Sequence, residues 1–415
     1  MKSRFIQPIV LERGKLNTGR ILVITGARQT GKTTLAKKCF PKYTYLSIED
    51  PVLRMQYARL TAAQWSLNYP DAILDEVQKE PVLIESIKSV YDQYPKPRYV
   101  LLGSSQLRLL QKVRESLAGR CTILELFPLT IPEIRTHSWE DLPALSLFQQ
   151  LITNGALAET VPSFQLMPDF AEREAAYRYY LRNGGYPALV DQTLTDDERY
   201  QWLTDYVRTY LERDVRDLAD FRSLEPFVRA QQATALLTGQ LVNYSTLAAG
   251  CGISSKTASR FIQYLELSYQ ALLLHPWHRN SLKRLVKSPK LHYLDPGVNK
   301  AILRKKGDLT GHEFESAVIA EMYKQSTTLK EQLSFYHLRT IDGREVDLLI
   351  ETEGGYYAFE IKMMDHAAKR DARHFSALED LLDKPLLHAF ILSNDPVVTR
   401  SGQHITAIPA GMLLS

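Results

Sequence analysis

One run near the start constrains this chain more than any other feature: Gly26-Ala27-Arg28-Gln29-Thr30-Gly31-Lys32-Thr33. It follows Ile21–Thr25, a short apolar run suited to a buried strand, and it opens a helical pattern over Lys32–Cys39. The spacing G-x-x-x-x-G-K-[ST] has a physical logic. Glycines let backbone N–H groups wrap an anion without Cβ clashes. Lys32 brings positive charge to the outer phosphates, Thr33 offers a hydroxyl to a magnesium ion, and Thr34 extends the cradle. The helix that follows points its positive end at the anion. A strand, a loop and a helix in this order predict a nucleotide site, with Gly26 through Thr34 as its binding residues.

A second apolar run, Ala72–Leu74, ends in Asp75 and Glu76. Beside a phosphate cradle, Asp75 is placed to hold magnesium and Glu76 to orient and deprotonate an attacking water. The carboxylate pair favours hydrolysis of ATP over transfer to a small acceptor. A third run, Tyr99–Leu102, leads into Gly103-Ser104, and Ser104 is a candidate to sense the γ-phosphate. Arg120 is a candidate to stabilise transferred charge, in cis or from a neighbouring subunit of a homo-oligomer. A surface role for Arg120 carries equal weight.

Strand runs at Tyr43–Ile48 and Thr122–Leu126 complete a set of five separated by helical patterns. That alternation predicts an α/β fold with a parallel sheet covered on both faces. With 415 residues the chain is too long for one core. We divide it into residues 1–135, the nucleotide-binding core; 136–224, a helical segment; 225–289, three helices with short turns; and 290–415, a second, smaller α/β unit. Strand runs in that last unit are Leu291–Leu294, Leu333–Leu338, Val346–Glu351, Tyr356–Ile361 and Pro385–Leu392, with helices at 312–324 and 366–382. Cys39, Cys121 and Cys251 are far apart and odd in number, as expected of reduced thiols in a cytoplasmic protein. The first residues lack the apolar core of a signal peptide, and no apolar run reaches about 18 residues, so no membrane span is expected.

The loop, Leu74-Asp75-Glu76-Val77-Gln78, Leu102-Gly103-Ser104-Ser105, Leu117-Ala118-Gly119-Arg120, Gly185-Tyr186-Pro187 and Tyr210-Leu211-Glu212-Arg213-Asp214 together resemble prokaryotic AAA-type ATPases that end in a domain of unknown function. The resemblance covers nearly the whole chain. It implies a P-loop core with sheet order 5-1-4-3-2, a helical lid over 136–224 and a winged helix over 225–289. Arg213 would lie near the nucleotide or in a surface ion pair.

Tyr244 to Arg260 has helix-turn-helix spacing, with Gly250 and Gly252 in the turn and Lys256 and Arg260 on the second helix. Lys283, Arg284, Lys287 and Lys290 cluster in a later run and suit phosphate contacts. DNA contact and simple packing on the core are both open readings, and a regulatory protein partner is a further one.

In the last unit, Asp347 precedes Glu360 and Lys362, which alternate along one strand and so share a face. With Glu315 they would form a site for a second magnesium or a manganese ion, in which Lys362 orients a water. This set resembles the PD-(D/E)xK fold of restriction-endonuclease-like nucleases. The resemblance implies either metal-dependent cleavage of nucleic acid or a nuclease fold kept for recognition alone.

Overall fold

The computed structural model describes residues 1–103, 113, 115–155, 164–211, 223–279, 288–339, 345–364, 375, 378–401 and 404–415. Ser104, Arg213, Lys283, Arg284 and Lys287 lie outside the described residues.

The first five strands are β1 (Ile21–Thr25), β2 (Thr44–Ser47), β3 (Asp71–Asp75), β4 (Arg98–Gly103) and β5 (Cys121–Glu125). They form a parallel sheet in the order β2-β3-β4-β1-β5, so the expected 5-1-4-3-2 order is the observed one. All five residues of β1 are buried, because helices cover both faces. Ile21 and Val23 face one apolar cluster with Trp65, Leu83 and Ile87. Leu22 and Ile24 face another with Leu35, Ala36 and the N-terminal helix residues Ile6 and Val10. Alternation across a strand thus assigns each side chain of one apolar run to one of two cores.

The middle of the chain is helical, with helices at Leu147–Asn154, Phe170–Asn183 and Asp196–Tyr206. The α-helix Asp196–Tyr206 passes into a π-turn over Val207–Leu211, the last described residues before 223. The break at Asn183-Gly184-Gly185 has a steric cause. A Cβ on Gly185 would collide with the Leu129 carbonyl oxygen. Gly185 N–H also donates to buried Asp295 at 2.8 Å, and Asp295 caps the helix Pro296–Ile302.

Next come helices Glu225–Leu236, Tyr244–Cys251 and Ser255–Leu267, with the short strand β6 (Gln240–Leu241) after the first of them. Residues 271–276 are a strand, β7 (Ala271–Pro276), within the stretch read as three helices and a winged helix. The remaining strands are β8 (Lys290–Tyr293), β9 (Ser334–Arg339), β10 (Glu345–Glu351), β11 (Tyr356–Ile361), β12 (Leu386–Ser393), β13 (Thr399–Ser401) and β14 (Ile405–Pro409). They make one sheet of nine strands in the order β13-β14-β12-β11-β10-β9-β7-β8-β6. β8 pairs antiparallel with β7 and β6, and β7 pairs parallel with β9. The sheet therefore runs across the boundary drawn at 289–290. Of the helix expected at 366–382, the described residues include a short helix, Leu378–Leu381.

The helix Gly311–Ser326 is the central strut of the C-terminal half. Thr310 and Glu313 form its capping box. Its Glu321 accepts from the backbone N–H of Ile131 at 2.6 Å and pairs with Lys324 at 2.9 Å, both side chains fully buried. Lys324 also lies 4.3 Å from the centre of the Tyr180 ring. The strut thereby ties the end of the nucleotide-binding core to the helical middle. Cys39, Cys121 and Cys251 are free thiols. Among the described residues, no helix is long and apolar enough to cross a membrane.

Candidate active site

β1 delivers the chain to Gly26, whose φ of 152° and contact with Leu126, just past β5, exclude a side chain: a Cβ there would strike the Leu126 carbonyl oxygen. Lys32 Nζ donates to the carbonyls of Gly26 at 2.9 Å and Ala27 at 2.7 Å, so the lysine laces the loop into a ring. Thr30 is buried and bonds the Ala27 carbonyl, while Ala27 packs against Phe127 and Tyr269. These two residues shape the loop from beneath. Arg28, Gln29, Gly31, Lys32, Thr33 and Thr34 line a cavity of about 280 Å³, closed on its far side by Asp75 and Glu76.

The Thr33 hydroxyl donates to Asp75 Oδ2 at 2.6 Å. A hydroxyl and a carboxylate converging on one point fit a magnesium ion, and these two residues would hold it. When bound, magnesium supplies charge neutralisation of the phosphates. Asp75 has a second partner in Tyr45 of β2, whose hydroxyl donates to Oδ2 at 2.9 Å. Burial first, and the Asp75 carboxylate second, push the Tyr45 phenol up to about 12, so it stays a donor.

Glu76 follows with φ 59°, left-handed backbone that a non-glycine residue adopts at a cost of about 1–3 kcal/mol. The turn lifts its carboxylate off the strand end and into the cavity. Gln78 Nε2 donates to Glu76 Oε2 at 2.6 Å, and Arg28 lies 4.0 Å from Oε1. An acceptor held this way can take a proton from a water beside the phosphate cradle.

Arg120 is not brought to this site. It precedes Cys121, which pairs with Ile21 at the start of β1. The nucleotide loop lies at the other end of that strand, about 16 Å away. Arg120 instead forms a two-pronged pair with Asp92, with Nε–Oδ1 at 2.7 Å. The cis role is thereby corrected: a parallel sheet presents its nucleotide site at the carboxyl ends of its strands, and Arg120 sits at the amino end of β5.

Two tyrosines that sequence reasoning missed reach the nucleotide loop from the later units. Tyr206 donates to the Arg28 carbonyl at 3.2 Å and meets Tyr186 of the Gly-Tyr-Pro segment at 2.9 Å. Tyr269, just past the helix Ser255–Leu267, lies 3.1 Å from the Thr25 hydroxyl and donates to Glu125 Oε1 at 3.0 Å. Neither tyrosine belongs to a motif. The one local signal is the Gly-Tyr-Pro turn that positions Tyr186.

The C-terminal candidates do converge. Glu315 comes from the strut helix, Asp347 from β10 and Glu360 from β11, and Lys362 bonds Glu360 at 2.6 Å. Asp347 Oδ2 accepts from the Ile361 N–H at 2.8 Å. Burial, then the neighbouring Glu315, pushes the Asp347 carboxyl up, and burial, then Asp347, pushes Glu360 up. Lys290, expected to contact phosphates, is instead buried among these carboxylates, 3.1 Å from Glu315 and 3.5 Å from Asp347. A metal site built of Glu315, Asp347 and Glu360 is not supported. Among the described residues no group of three His, Cys, Asp or Glu side chains is arranged to hold an ion.

A parallel five-stranded sheet with this loop, Asp75 and Glu76 defines a P-loop ATPase, a protein that binds and hydrolyses ATP. Residues 18–135 match the family model described as an AAA domain. Residues 174–309 and 310–413 match two domains of unknown function, DUF8612 and DUF4143. The chain is 27% identical to an uncharacterized protein of Mycobacterium tuberculosis and to one of Mycobacterium bovis, over 97% of this chain and 85% of each relative. Among solved structures, a Walker-type ATPase of Pyrococcus abyssi is similar with a TM-score of 0.44 and 14% identity, covering 73% of this chain and 96% of that one.

Proposed function

We propose that this ATPase is a nucleotide-driven switch whose later units engage DNA, with the helix Ser255–Leu267 as the element that joins the two tasks. One observation carries the reading. The helix presents Ser255, Lys256, Ser259, Arg260 and Gln263 to solvent, an exposed face without a carboxylate, and two residues beyond its end Tyr269 touches Thr25 and Glu125 beside the nucleotide loop. Residues at i, i+3, i+4 and i+7 form one stripe, and these side-chain types contact phosphates and base edges. The order helix, β6, helix, helix, β7, β8 supports reading this unit as a winged helix, and residues 136–224 act as a lid over the nucleotide in the same reading. In this division β8 belongs to both the winged helix and the 290–415 unit.

In the mechanism we infer, the backbone N–H groups from Gly26 to Thr34 bind the phosphates, and Lys32 leaves the loop carbonyls to meet them. Glu76 takes the proton of the attacking water. Phosphate-dependent movement of the loop shifts Arg28 and Thr25, and Tyr206 and Tyr269 carry that shift outward. Ser104 as a γ-phosphate sensor, and Arg120 acting in trans in an oligomer, complete the proposed site.

Duplex DNA binding followed by fluorescence anisotropy tests the reading. Affinity is expected to differ at least fivefold between ATP-bound Glu76→Gln protein and the nucleotide-free chain. A double change, Lys256→Ala with Arg260→Ala, is expected to weaken binding and lower the salt dependence. DNA affinity that ignores nucleotide, or survives that double change, would sink it.

A second reading, in which the 290–415 unit is a restriction-endonuclease-like nuclease, has one observation in its favour. Buried Glu315, Asp347 and Glu360 come together from the strut helix, β10 and β11, and half-buried Lys362 pairs with Glu360 at their edge. Cleavage that Glu360→Ala abolishes would establish it.

A further inference from the structure

The carboxylate cluster of the C-terminal unit already has a cation. Lys290 Nζ lies 2.7 Å from Glu345 Oε1, 3.1 Å from Glu315 Oε1 and 3.5 Å from Asp347 Oδ1, and its side chain is 5% exposed. An ammonium is a compact charge with three donors, and three oxygens converge on it. A divalent ion bound by oxygens needs them at about 2.0–2.6 Å. Glu315 and Asp347 cannot bring their oxygens to such an ion while both face the Lys290 ammonium.

The cluster keeps unfilled bonding capacity. Glu360 is buried, and its Oε2 has no hydrogen-bond partner. His292 alternates with Lys290 on β8, is fully buried, and has no partner at either ring nitrogen. A purely structural ion bridge would not leave such atoms beside it, because each buried orphan costs free energy. The lysine and the carboxylates also come from different places in the fold. Lys290 belongs to β8, which pairs with β7 and β6 of the three-helix unit, whereas Glu315 lies on the strut helix and Glu345 and Asp347 lie on β10.

We propose that Lys290 is an intramolecular counter-ion that takes the divalent-cation position of this cluster, so that the docked strand β8 closes a latent metal site. Withdrawal or removal of this one ammonium opens the site to a hard divalent cation such as Mn2+ or Mg2+. The proposal needs no DNA contact and stands apart from the switch reading. It also gives the nuclease-like set a defined resting state, shut by the chain itself.

The test is Mn2+ titration of the nucleotide-free, full-length chain, read by the electron paramagnetic resonance signal of free Mn2+. Wild type and Asp347→Asn are expected to bind Mn2+ alike. Lys290→Met is expected to gain one Mn2+ at least tenfold tighter than any site in wild type, and Lys290→Met with Asp347→Asn to lose it. Mn2+ uptake by wild type that Asp347→Asn removes would overturn the proposal, as would a folded Lys290→Met that gains none. If Lys290→Met is too unstable to titrate, Mn2+ is expected to raise its melting temperature toward that of wild type. No rise would equally overturn the idea.

Discussion

The Tyr269 hydroxyl donates to Glu125 Oε1 at 3.0 Å and lies 3.1 Å from the Thr25 hydroxyl, so one side chain of the helical unit clasps the ends of two adjacent strands of the ATPase sheet. Its backbone is left-handed, with φ 59°, and its phenol is pushed well up by burial, then by Glu125. Tyr269→Phe keeps the ring against Phe127 and removes both bonds. The expected loss is about 1.5–3 kcal/mol of stability. Any nucleotide dependence of DNA binding should weaken with it, while ATP binding survives. Denaturant unfolding and anisotropy measure the two effects.

Lys32→Ala should abolish nucleotide binding, because the loop loses both its lacing and its charge. Glu76→Gln should bind ATP and hydrolyse it about 100-fold more slowly or worse. Normal turnover by Glu76→Gln would remove the base assigned here. Isothermal titration and a phosphate-release assay separate binding from chemistry.

Arg120→Ala tests the geometry of the sheet. With Arg120 at the amino edge of β5, dilute protein should keep its ATPase rate within about twofold. A loss seen only at concentrations where the chain self-associates would place Arg120 in a neighbour's site.

Lys324→Met removes one half of an ion pair whose two side chains are fully buried. It leaves Glu321 charged and uncompensated, and the expected cost is about 3–5 kcal/mol. Restoring neutrality with Glu321→Gln in the same chain should recover part of it.

Glu266 supplies a pH test. Burial pushes its carboxyl up to about 7, above the ordinary value of 4.5, on a helix face beside Tyr323. The folded state therefore holds a proton that the unfolded state releases. This contribution to stability is full below pH 4.5 and is lost as pH rises through about 7. Glu266→Gln should flatten the fall in melting temperature between those values, by on the order of 2 °C. An unchanged slope would count against it.

The ATPase sheet is legible in the sequence because strands buried on both faces write continuous apolar runs. Ile21–Thr25 falls on its strand residue for residue. β11 is equally legible, while β13 is not: Thr399–Ser401 is exposed, short and polar. Lys32, Thr33, Asp75 and Glu76 meet as their motif implies. Tyr45, Tyr206 and Tyr269 carry no motif, since a hydroxyl that reaches across the fold leaves no spacing to read. Lys290 sits among basic neighbours in the chain, and linear order suggests solvent and phosphates. Its true partners, Glu315, Glu345 and Asp347, lie further along the chain on the strut helix and β10.

The nine-stranded sheet has a mechanical consequence. β7 and β8 stitch the three-helix unit to the C-terminal unit through backbone ladders, so the two cannot swing as beads on a string. In the proposed switch, force entering at Tyr269 would meet a single plate of strands running from β6 to β13. Severing the chain at residue 289 would not liberate two modules but leave two raw edges, each a template for misassembly.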